Sequence, residues 1–195
     1  MHEYDLIADW YSSDRGQTIG VAEALKVAAR LPADSHILDV GCGNGTPITK
    51  ALVDGGYRVV GLDSSSRMTA HFRSNLPRTR IVRGDVRRCP FAADCFDAAI
   101  SWGVLFHLTP DEQSQAFAGV SRLLRPGAPF LFTGAEIGQA QGTQGTGITG
   151  TMNGVTFHYY AVSSYRALLA EHAFVLVDVY EGPGANTYYL AHKMR

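Results

Sequence analysis

A buried strand that runs through a glycine-rich turn into a helix is the feature that most constrains how this sequence can fold. It lies at residues 37–46 (ILDVGCGNGT), where Gly41, Gly43 and Gly45 carry no Cβ and tolerate positive φ angles. A ligand can therefore approach the main chain more closely here than beside other residues. The pattern predicts an α/β fold that binds a nucleotide-type cofactor after its first strand.

The spacing of the three glycines indicates which kind of nucleotide fits the turn. A dinucleotide fingerprint would place its third glycine one position later, where this sequence has Thr46. The spacing disfavours pyrophosphate binding, but it leaves a nicotinamide-dependent oxidoreductase open as an alternative function.

Two acidic residues follow the glycine turn at positions that suit an adenosine group. Asp63 ends the apolar run at 59–62, and a carboxylate at a strand end matches the two neighbouring hydroxyl groups of a ribose. Asp85 occupies a second such position before another apolar stretch at 96–101. Together with the turn, these acids predict an adenosine-containing cofactor.

The three blocks, in this order and spacing, resemble the class I S-adenosylmethionine-dependent methyltransferases that act on small molecules. The resemblance extends from about Tyr4 to Lys193. It implies that S-adenosyl-L-methionine is the cofactor and that a small molecule accepts the methyl group. It also implies that the glycine turn wraps the methionine and ribose, that Asp63 holds the ribose hydroxyls and that Asp85 meets the adenine amino group.

The cofactor site that this resemblance implies draws on the N-terminal segment and on the ends of the first four strands. Its expected residues are Tyr11, Arg15, Asp39, Gly41, Cys42, Gly43, Asn44, Asp63, Ser64, Met68, Asp85, Val86, Ser101, Trp102 and Gly103. Residues 101–103 would line the amino-acid end of the cofactor. Arg15 would meet the methionine carboxylate, although a solvated arginine explains the same sequence equally well.

The order of the apolar runs predicts the architecture. Strands separated by helices favour parallel pairing with right-handed crossovers, and the last two runs, at 174–180 and 187–191, predict a hairpin. The resemblance implies a three-layer, Rossmann-like, doubly wound α/β sheet of seven strands in the order 3-2-1-4-5-7-6, with strand 7 antiparallel. With 195 residues, we expect one domain over 1–195, in which helices within 1–31 cover the cofactor.

The charge of the chain argues against nucleic acid as a partner. Its formal net charge is −1 and its pI is about 6.6, so it lacks the basic surface that phosphate binding requires. One basic cluster stands out, which we interpret as solvated surface in preference to a site for an acidic ligand. It consists of Arg73, Arg78, Arg80, Arg83, Arg87 and Arg88.

Cysteine usage and hydropathy give the expected compartment. Three cysteines form neither a disulfide framework nor a metal-binding pattern. No apolar segment approaches the ~20 residues of a membrane span, and the first residues do not resemble a signal peptide. We expect a cytoplasmic protein with no membrane partner and no metal, and both a monomer and a homodimer remain open.

A glycine-rich stretch interrupts the second half of the chain. Residues 134–154 contain seven glycines and show no periodicity. Long structureless segments in compact domains are usually functional lids or disordered insertions, and this one follows the fifth strand at the cofactor edge. We predict a substrate lid over 134–160, with a tolerated flexible insertion as the alternative.

Methyl transfer needs a general base only when the acceptor must lose a proton. His107 is the first candidate because it follows the fourth strand and its ordinary pKa, near ~6.5, suits proton transfer. Glu136, His158, Tyr159 and Tyr160 are further candidates because they flank the predicted lid. The aromatic rings could also stabilise a sulfonium by cation–π contact, while simple packing is the alternative for all of them.

The run at 105–108 departs from the family pattern. Relatives typically carry Leu-His-His-Leu, whereas this sequence has Phe106 in place of the first histidine. Because the departure removes one candidate base, a non-catalytic S-adenosylmethionine-binding protein remains a further alternative.

Overall fold

The computed structural model describes residues 18–134, 148–152, 155–182 and 186–195, and its centre is a sheet of seven strands. Five of these strands are mutually parallel, as the alternation of strands and helices predicts. They are β1 (His36–Val40), β2 (Arg58–Asp63), β3 (Arg80–Arg83), β4 (Ala98–Ser101) and β5 (Pro129–Gly134).

A separate two-stranded sheet follows β5. Its antiparallel strands are β6 (Ile148–Met152) and β7 (Val155–Tyr159), paired from Ile148 with Tyr159 to Met152 with Val155. The prediction that the stretch up to residue 154 has no regular structure is therefore wrong for 148–152. The overlooked signal is Asn153-Gly154, the dipeptide that most strongly favours a two-residue hairpin loop.

The chain ends in a second hairpin that completes the main sheet. Strand β9 (Asn186–Lys193) is antiparallel to both β5 and β8 (Phe174–Gly182). The sheet order is β3-β2-β1-β4-β5-β9-β8. This order confirms the predicted 3-2-1-4-5-7-6 arrangement, since β8 and β9 are the sixth and seventh strands of the main sheet.

Five described helices cover the two faces of this sheet. They are α1 (Val21–Ala28), α2 (Ile48–Asp54), α3 (Ser66–Asn75), α4 (Pro110–Leu123) and α5 (Val162–Glu171). The helix α4 begins with a capping box formed by Thr109 and Glu112, ahead of a proline in the first turn.

Alternate residues of β1 enter two separate cores, which makes the domain three-layered. Leu38 packs in a cluster that includes Phe117 of α4 and Tyr165 of α5. Ile37 packs on the opposite face in a cluster that includes residues of α1 and α2, such as Leu52. Both faces of the parallel strands are therefore buried, and polar groups collect at the carboxyl ends of those strands.

Among the described residues, no helix is both long enough and apolar enough to span a bilayer.

Candidate cofactor and acceptor sites

A cleft opens where β1, β2 and β3 reach their carboxyl ends, and it encloses about 450 Å³ of space that is partly open to solvent. Its polar lining includes Asp63, Ser64, Asp85 and Arg87. Its apolar walls are Val40, Leu62, Val86, Val104, Leu105 and Leu108. Five of the predicted cofactor residues therefore line this one cleft. They are Gly41, Asp63, Ser64, Asp85 and Val86. Apolar walls with a few polar groups fit a nucleoside.

The glycine turn after β1 has the backbone conformation that its sequence predicts. Gly41, Gly43 and Gly45 have φ angles of 69°, 56° and 82°, in the region that favours glycine. A Cβ on Gly41 would collide with the side chain of Val104. Glycine at 41 therefore allows segment 104–108 to close against the turn and to form one wall of the cleft.

Asp63 links the end of β2 to the glycine turn. Its carboxylate accepts the amide N–H of Gly43 at 2.9 Å and that of Ser65, which caps α3, also at 2.9 Å. These two bonds fix the orientation of the carboxylate. Its position in the cleft and its fixed orientation fit the role of an acceptor for ribose hydroxyls.

Four predicted cofactor residues, Asp39, Cys42, Gly43 and Asn44, shape the turn and are absent from the described lining of the cleft. Asp39 is buried and accepts the Thr49 hydroxyl at 2.5 Å, and the Asn44 side chain accepts the amide of Thr46 at 3.0 Å. Burial raises the pKa of the Cys42 thiol, and the charges of Asp39 and Asp63 raise it further. Cys42 is therefore an inert, protonated thiol in the wall of the turn.

Asp85 belongs to a network of ion pairs at the far end of the cleft. Arg87 Nε lies 2.9 and 2.8 Å from the two carboxylate oxygens of Asp85, and Arg87 Nη2 bonds one of them as well. Arg87 Nη1 bonds Glu112 on α4. Burial alone would raise the pKa of Asp85, but Arg87 more than offsets this and holds that pKa below its usual 3.8.

The interpretation of Arg87 as a solvated surface residue is therefore wrong. Its side chain is only 23% exposed and contacts two carboxylates, because α4 brings Glu112 to the turn after β3. Sequence spacing cannot reveal this, since Glu112 lies 25 positions further along the chain. The other five arginines of the basic cluster are exposed, as the sequence predicts.

The residues that follow β4 form hydrogen bonds with β5 and β9, the next two strands of the sheet. The indole N–H of Trp102 donates to the Tyr188 hydroxyl at 3.0 Å, and the amide of Gly103 donates to the Thr133 hydroxyl at 2.8 Å. Ser101 is buried. None of the three lines the described cleft, and neither does Met68, which is buried in α3. Their contact with the amino-acid end of the cofactor stays a prediction.

His107 lies in a short 3₁₀ helix, Leu105–His107, and contacts the β6–β7 hairpin. Its Nδ1 lies 3.0 Å from the main-chain oxygen of Thr156. A carbonyl oxygen can only accept, so Nδ1 must carry the proton, and the neutral ring then has its lone pair on Nε2. This tautomer is the one in which Nε2 can act as a base.

A buried glutamine makes a second connection to the same hairpin. Gln113 of α4 is fully buried, and its Nε2 donates to the oxygens of Leu108 and His158 at 3.0 and 2.8 Å. Gln113 is absent from the predicted site residues, and its position on the apolar face of a helix is the signal that could have identified it. Residues 156 and 158 of β7 therefore present their carbonyls to side chains.

Aromatic rings fill the space between the 3₁₀ helix and the hairpin. The centroid of the Tyr159 ring lies 4.8 Å from the centroid of the Phe106 ring and 4.9 Å from that of the Phe157 ring. The centroids of the Phe106 and His107 rings are 4.5 Å apart. Of the predicted catalytic residues, His107 and Tyr159 thus share one cluster. Tyr160 packs against Tyr165 of α5, where burial raises its pKa, with a smaller contribution from Asp111.

Three predicted residues, Tyr11, Arg15 and Glu136, lie outside the described residues.

Known proteins resemble this chain in both sequence and fold. Residues 37–127 match the methyltransferase domain family. An uncharacterised methyltransferase of Geobacillus sp. (strain WCH70) is 28% identical over 142 residues, which cover 72% of this chain and 66% of that protein. A demethylmenaquinone methyltransferase of Beutenbergia cavernae is 39% identical over 95 residues, which cover 48% of this chain and 37% of that protein.

Solved structures agree with the observed fold. The 1,6-didemethyltoxoflavin-N1-methyltransferase of Burkholderia thailandensis, solved with its substrate and S-adenosylhomocysteine, superposes with a TM-score of 0.75 at 24% identity. The match covers 98% of this chain and 88% of that chain. This chain spans less than two thirds of either curated relative. The glycine turn, the two strand-end acids, the strand order and these likenesses together make the chain similar to the class I S-adenosylmethionine-dependent methyltransferases.

Proposed function

We propose that this protein transfers the methyl group of S-adenosylmethionine to a small-molecule acceptor bound between the 3₁₀ helix at 105–107 and the β6–β7 hairpin. The observation that carries the proposal is the double role of segment 104–108. Val104, Leu105 and Leu108 line the cofactor cleft, while His107 bonds the hairpin. An acceptor beside His107 would therefore be adjacent to the cofactor.

In this proposal, the cleft binds the adenosine part of the cofactor. Asp63 accepts the ribose hydroxyls, Asp85 accepts the adenine amino group, and the glycine turn contacts the ribose and methionine. The bound cofactor supplies a methyl group on a positively charged sulfur. The work of the protein is then to orient the acceptor and to exclude water, for which effective molarities of ~10⁵ to 10⁸ M set the scale.

His107 is the proposed general base. The Thr156 carbonyl fixes its ring and its tautomer, so Nε2 is the atom that would take a proton from the acceptor. A hydroxyl group or a ring N–H has such a proton to lose. Phe106, Phe157 and Tyr159 supply an aromatic wall beside this ring, which suits an acceptor with an apolar, planar part.

Two of the relatives support a small acceptor. The names of the Burkholderia and Beutenbergia enzymes give 1,6-didemethyltoxoflavin and demethylmenaquinone as the molecules on which they act. We therefore propose small-molecule methylation over methylation of a macromolecule, and we propose the segment at 134–160 as the acceptor lid.

The test is release of S-adenosylhomocysteine in the presence of a panel of phenols, ring N–H heterocycles and carboxylic acids. We expect turnover with phenols or ring N–H compounds. His107→Asn keeps an N–H donor for Thr156 but removes Nε2, so the rate should fall by ~10²- to 10⁴-fold with S-adenosylhomocysteine affinity unchanged. The matched control is His172→Asn, because His172 bonds Ser114 between α4 and α5.

Three outcomes would contradict parts of the proposal. Full turnover by His107→Asn would exclude His107 as the base. Tight calorimetric binding of NAD without binding of S-adenosylhomocysteine would favour the oxidoreductase alternative. Binding of S-adenosylhomocysteine without turnover of any acceptor class would favour a non-catalytic binding protein.

A further inference from the structure

Asp85 is held almost entirely by one neighbour. Of its described hydrogen-bond donors, the amide N–H, the Nε–H and the Nη2–H all belong to Arg87, with the amide at 2.9 Å from Oδ1. The amide bond caps the 3₁₀ helix Val86–Arg88. Both the main chain and the side chain of Arg87 therefore donate to Asp85, and the carboxylate cannot rotate without breaking several of these bonds.

Arg87 is itself held from the opposite side by α4. Its Nη1 bonds Glu112 Oε1, while the other oxygen of Glu112 accepts the amide and the hydroxyl of Thr109 at 3.0 and 3.1 Å. The pKa of Glu112 is lowered first by the Thr109 amide and then by Arg87, which keeps Glu112 ionised. The guanidinium is thus fixed between two carboxylates that come from different elements.

Close packing keeps these elements at a constant distance. Gly119 lies seven residues after Glu112, on the same face of α4, and a Cβ on Gly119 would collide with the main-chain oxygen of Val86. The helix therefore contacts the turn that carries Asp85 and Arg87 backbone to backbone. Glu112 is held where it can reach Arg87.

Without Arg87, Asp85 would lose the side-chain hydrogen bonds that fix its orientation. Burial of Asp85 favours the neutral acid, and Arg87 supplies the bonds and most of the charge that reverse this preference. A carboxyl group that can rotate no longer holds its oxygens toward a ligand. The carboxylate fixed by Arg87 presents acceptors alone.

We propose that Arg87, held by Glu112, is a positioning residue that makes the cleft select a 6-amino purine over a 6-oxo purine. This inference rests on the proposed placement of adenine at Asp85. The amino group of adenine donates to the fixed carboxylate. The oxygen of a 6-oxo purine would meet the same carboxylate as a second acceptor and be repelled.

The test compares calorimetric affinities for S-adenosylhomocysteine and S-inosylhomocysteine, which differ at purine position 6. We expect the wild-type protein to prefer the adenosyl compound. Arg87→Met should weaken adenosyl binding by about 10-fold and inosyl binding by less than about threefold, so the preference should shrink. Glu112→Gln should shrink it by about threefold. Arg88→Met is the matched control, because Arg88 is exposed in the same turn and makes the smallest contribution to the lowered pKa of Asp85, so it should change the preference far less than Arg87→Met does.

Equal losses for both compounds in Arg87→Met would show a merely structural role and overturn the inference, as would an unchanged preference. If circular dichroism shows that Arg87→Met does not fold, the two affinities are compared in the milder Glu112→Gln variant. Equal losses for both compounds, or an unchanged preference, would overturn the inference there too. The variant Asp85→Asn distinguishes the placement of adenine at Asp85 from the positioning role of Arg87. An unchanged preference in Asp85→Asn would refute the placement of adenine, whereas a lost preference there with a retained one in Arg87→Met refutes only the role of Arg87.

Discussion

Gln113 donates its side-chain N–H to the main-chain oxygen of His158 at 2.8 Å, and this bond attaches a hairpin to the interior of the domain. Together with the bond from His107 to Thr156, it satisfies two carbonyls on the edge of β7 that does not pair with β6. A helix side chain thus donates the hydrogen bond that the backbone of a neighbouring strand would donate in a sheet.

Gln113→Leu should destabilise the protein by about 1 to 3 kcal/mol, because it leaves the partly buried oxygens of Leu108 and His158 without their donor. Urea unfolding measures the change. Gln115→Leu on the exposed face of α4 is the control and should change stability by less than about 0.5 kcal/mol. Equal effects of the two substitutions would show that the hairpin connection contributes nothing.

Asp63→Ala should weaken the binding of S-adenosylhomocysteine by about 1 to 3 kcal/mol, since it removes the proposed acceptor of the ribose hydroxyls. Isothermal titration gives the affinity. Asp54→Ala removes an exposed carboxylate that pairs with Lys50 on α2, and it should leave the affinity unchanged. An unaltered dissociation constant for Asp63→Ala would remove Asp63 from the site.

Two adjacent buried tyrosines should respond in opposite ways to loss of the hydroxyl. The Tyr188 hydroxyl accepts the indole N–H of Trp102, whereas the Tyr189 hydroxyl has no hydrogen-bond partner among the described residues. Tyr188→Phe should cost about 1 kcal/mol of stability, and Tyr189→Phe should be neutral or stabilising. Thermal denaturation compares the pair, and an equal loss in both would indicate a hidden partner for Tyr189.

Gly119→Ala should destabilise the protein, although alanine is the better helix former. The added methyl group would meet the Val86 oxygen, and we expect a net cost of about 1 to 3 kcal/mol in urea unfolding. Ser121→Ala, two residues later in the same helix, should change stability by less than about 0.5 kcal/mol. A gain in stability for Gly119→Ala would show that the contact between α4 and the turn is loose.

The ion-pair network should make stability depend on pH below neutrality. The pKa values of Asp85 and Glu112 are lowered in the folded protein from 3.8 and 4.5, so both stabilise it above those values and lose this effect as pH falls through the folded values. Arg87→Met should flatten the fall in unfolding free energy between about pH 5 and pH 3. An identical slope in both proteins would contradict the network.

The main sheet follows from the sequence because its signals are local. Strand residues such as those at 36–40 alternate with amphipathic helices, and the cap at Thr109 marks a helix start within four residues. The strand order, by contrast, came from the family resemblance. The glycine turn and the two acids gave the position of the cleft, because carboxyl ends of parallel strands meet at one edge.

The contacts that define the rest of the site are long-range and leave no such local pattern. Arg87 meets Glu112 across 25 positions, and His107 meets Thr156 across 49. An arginine in a basic run is predicted to be exposed to solvent, and a histidine between apolar residues is predicted to pack in the core. Their actual partners are distant in the sequence and become neighbours only in the folded chain. The role of Gln113 depends in the same way on a hairpin 45 positions away.

Attachment of β7 through side chains has a consequence for how such a protein can diversify. Among the residues that the structure describes, the hairpin shares no strand pairing with the seven-stranded sheet, so its length and composition can change without altering the register of any strand that lines the cleft. In the described part of the chain, the donors at positions 107 and 113 are the side chains that carbonyls of the replacement would meet. New acceptor preferences are therefore accessible by exchange of a short insert on an unchanged scaffold.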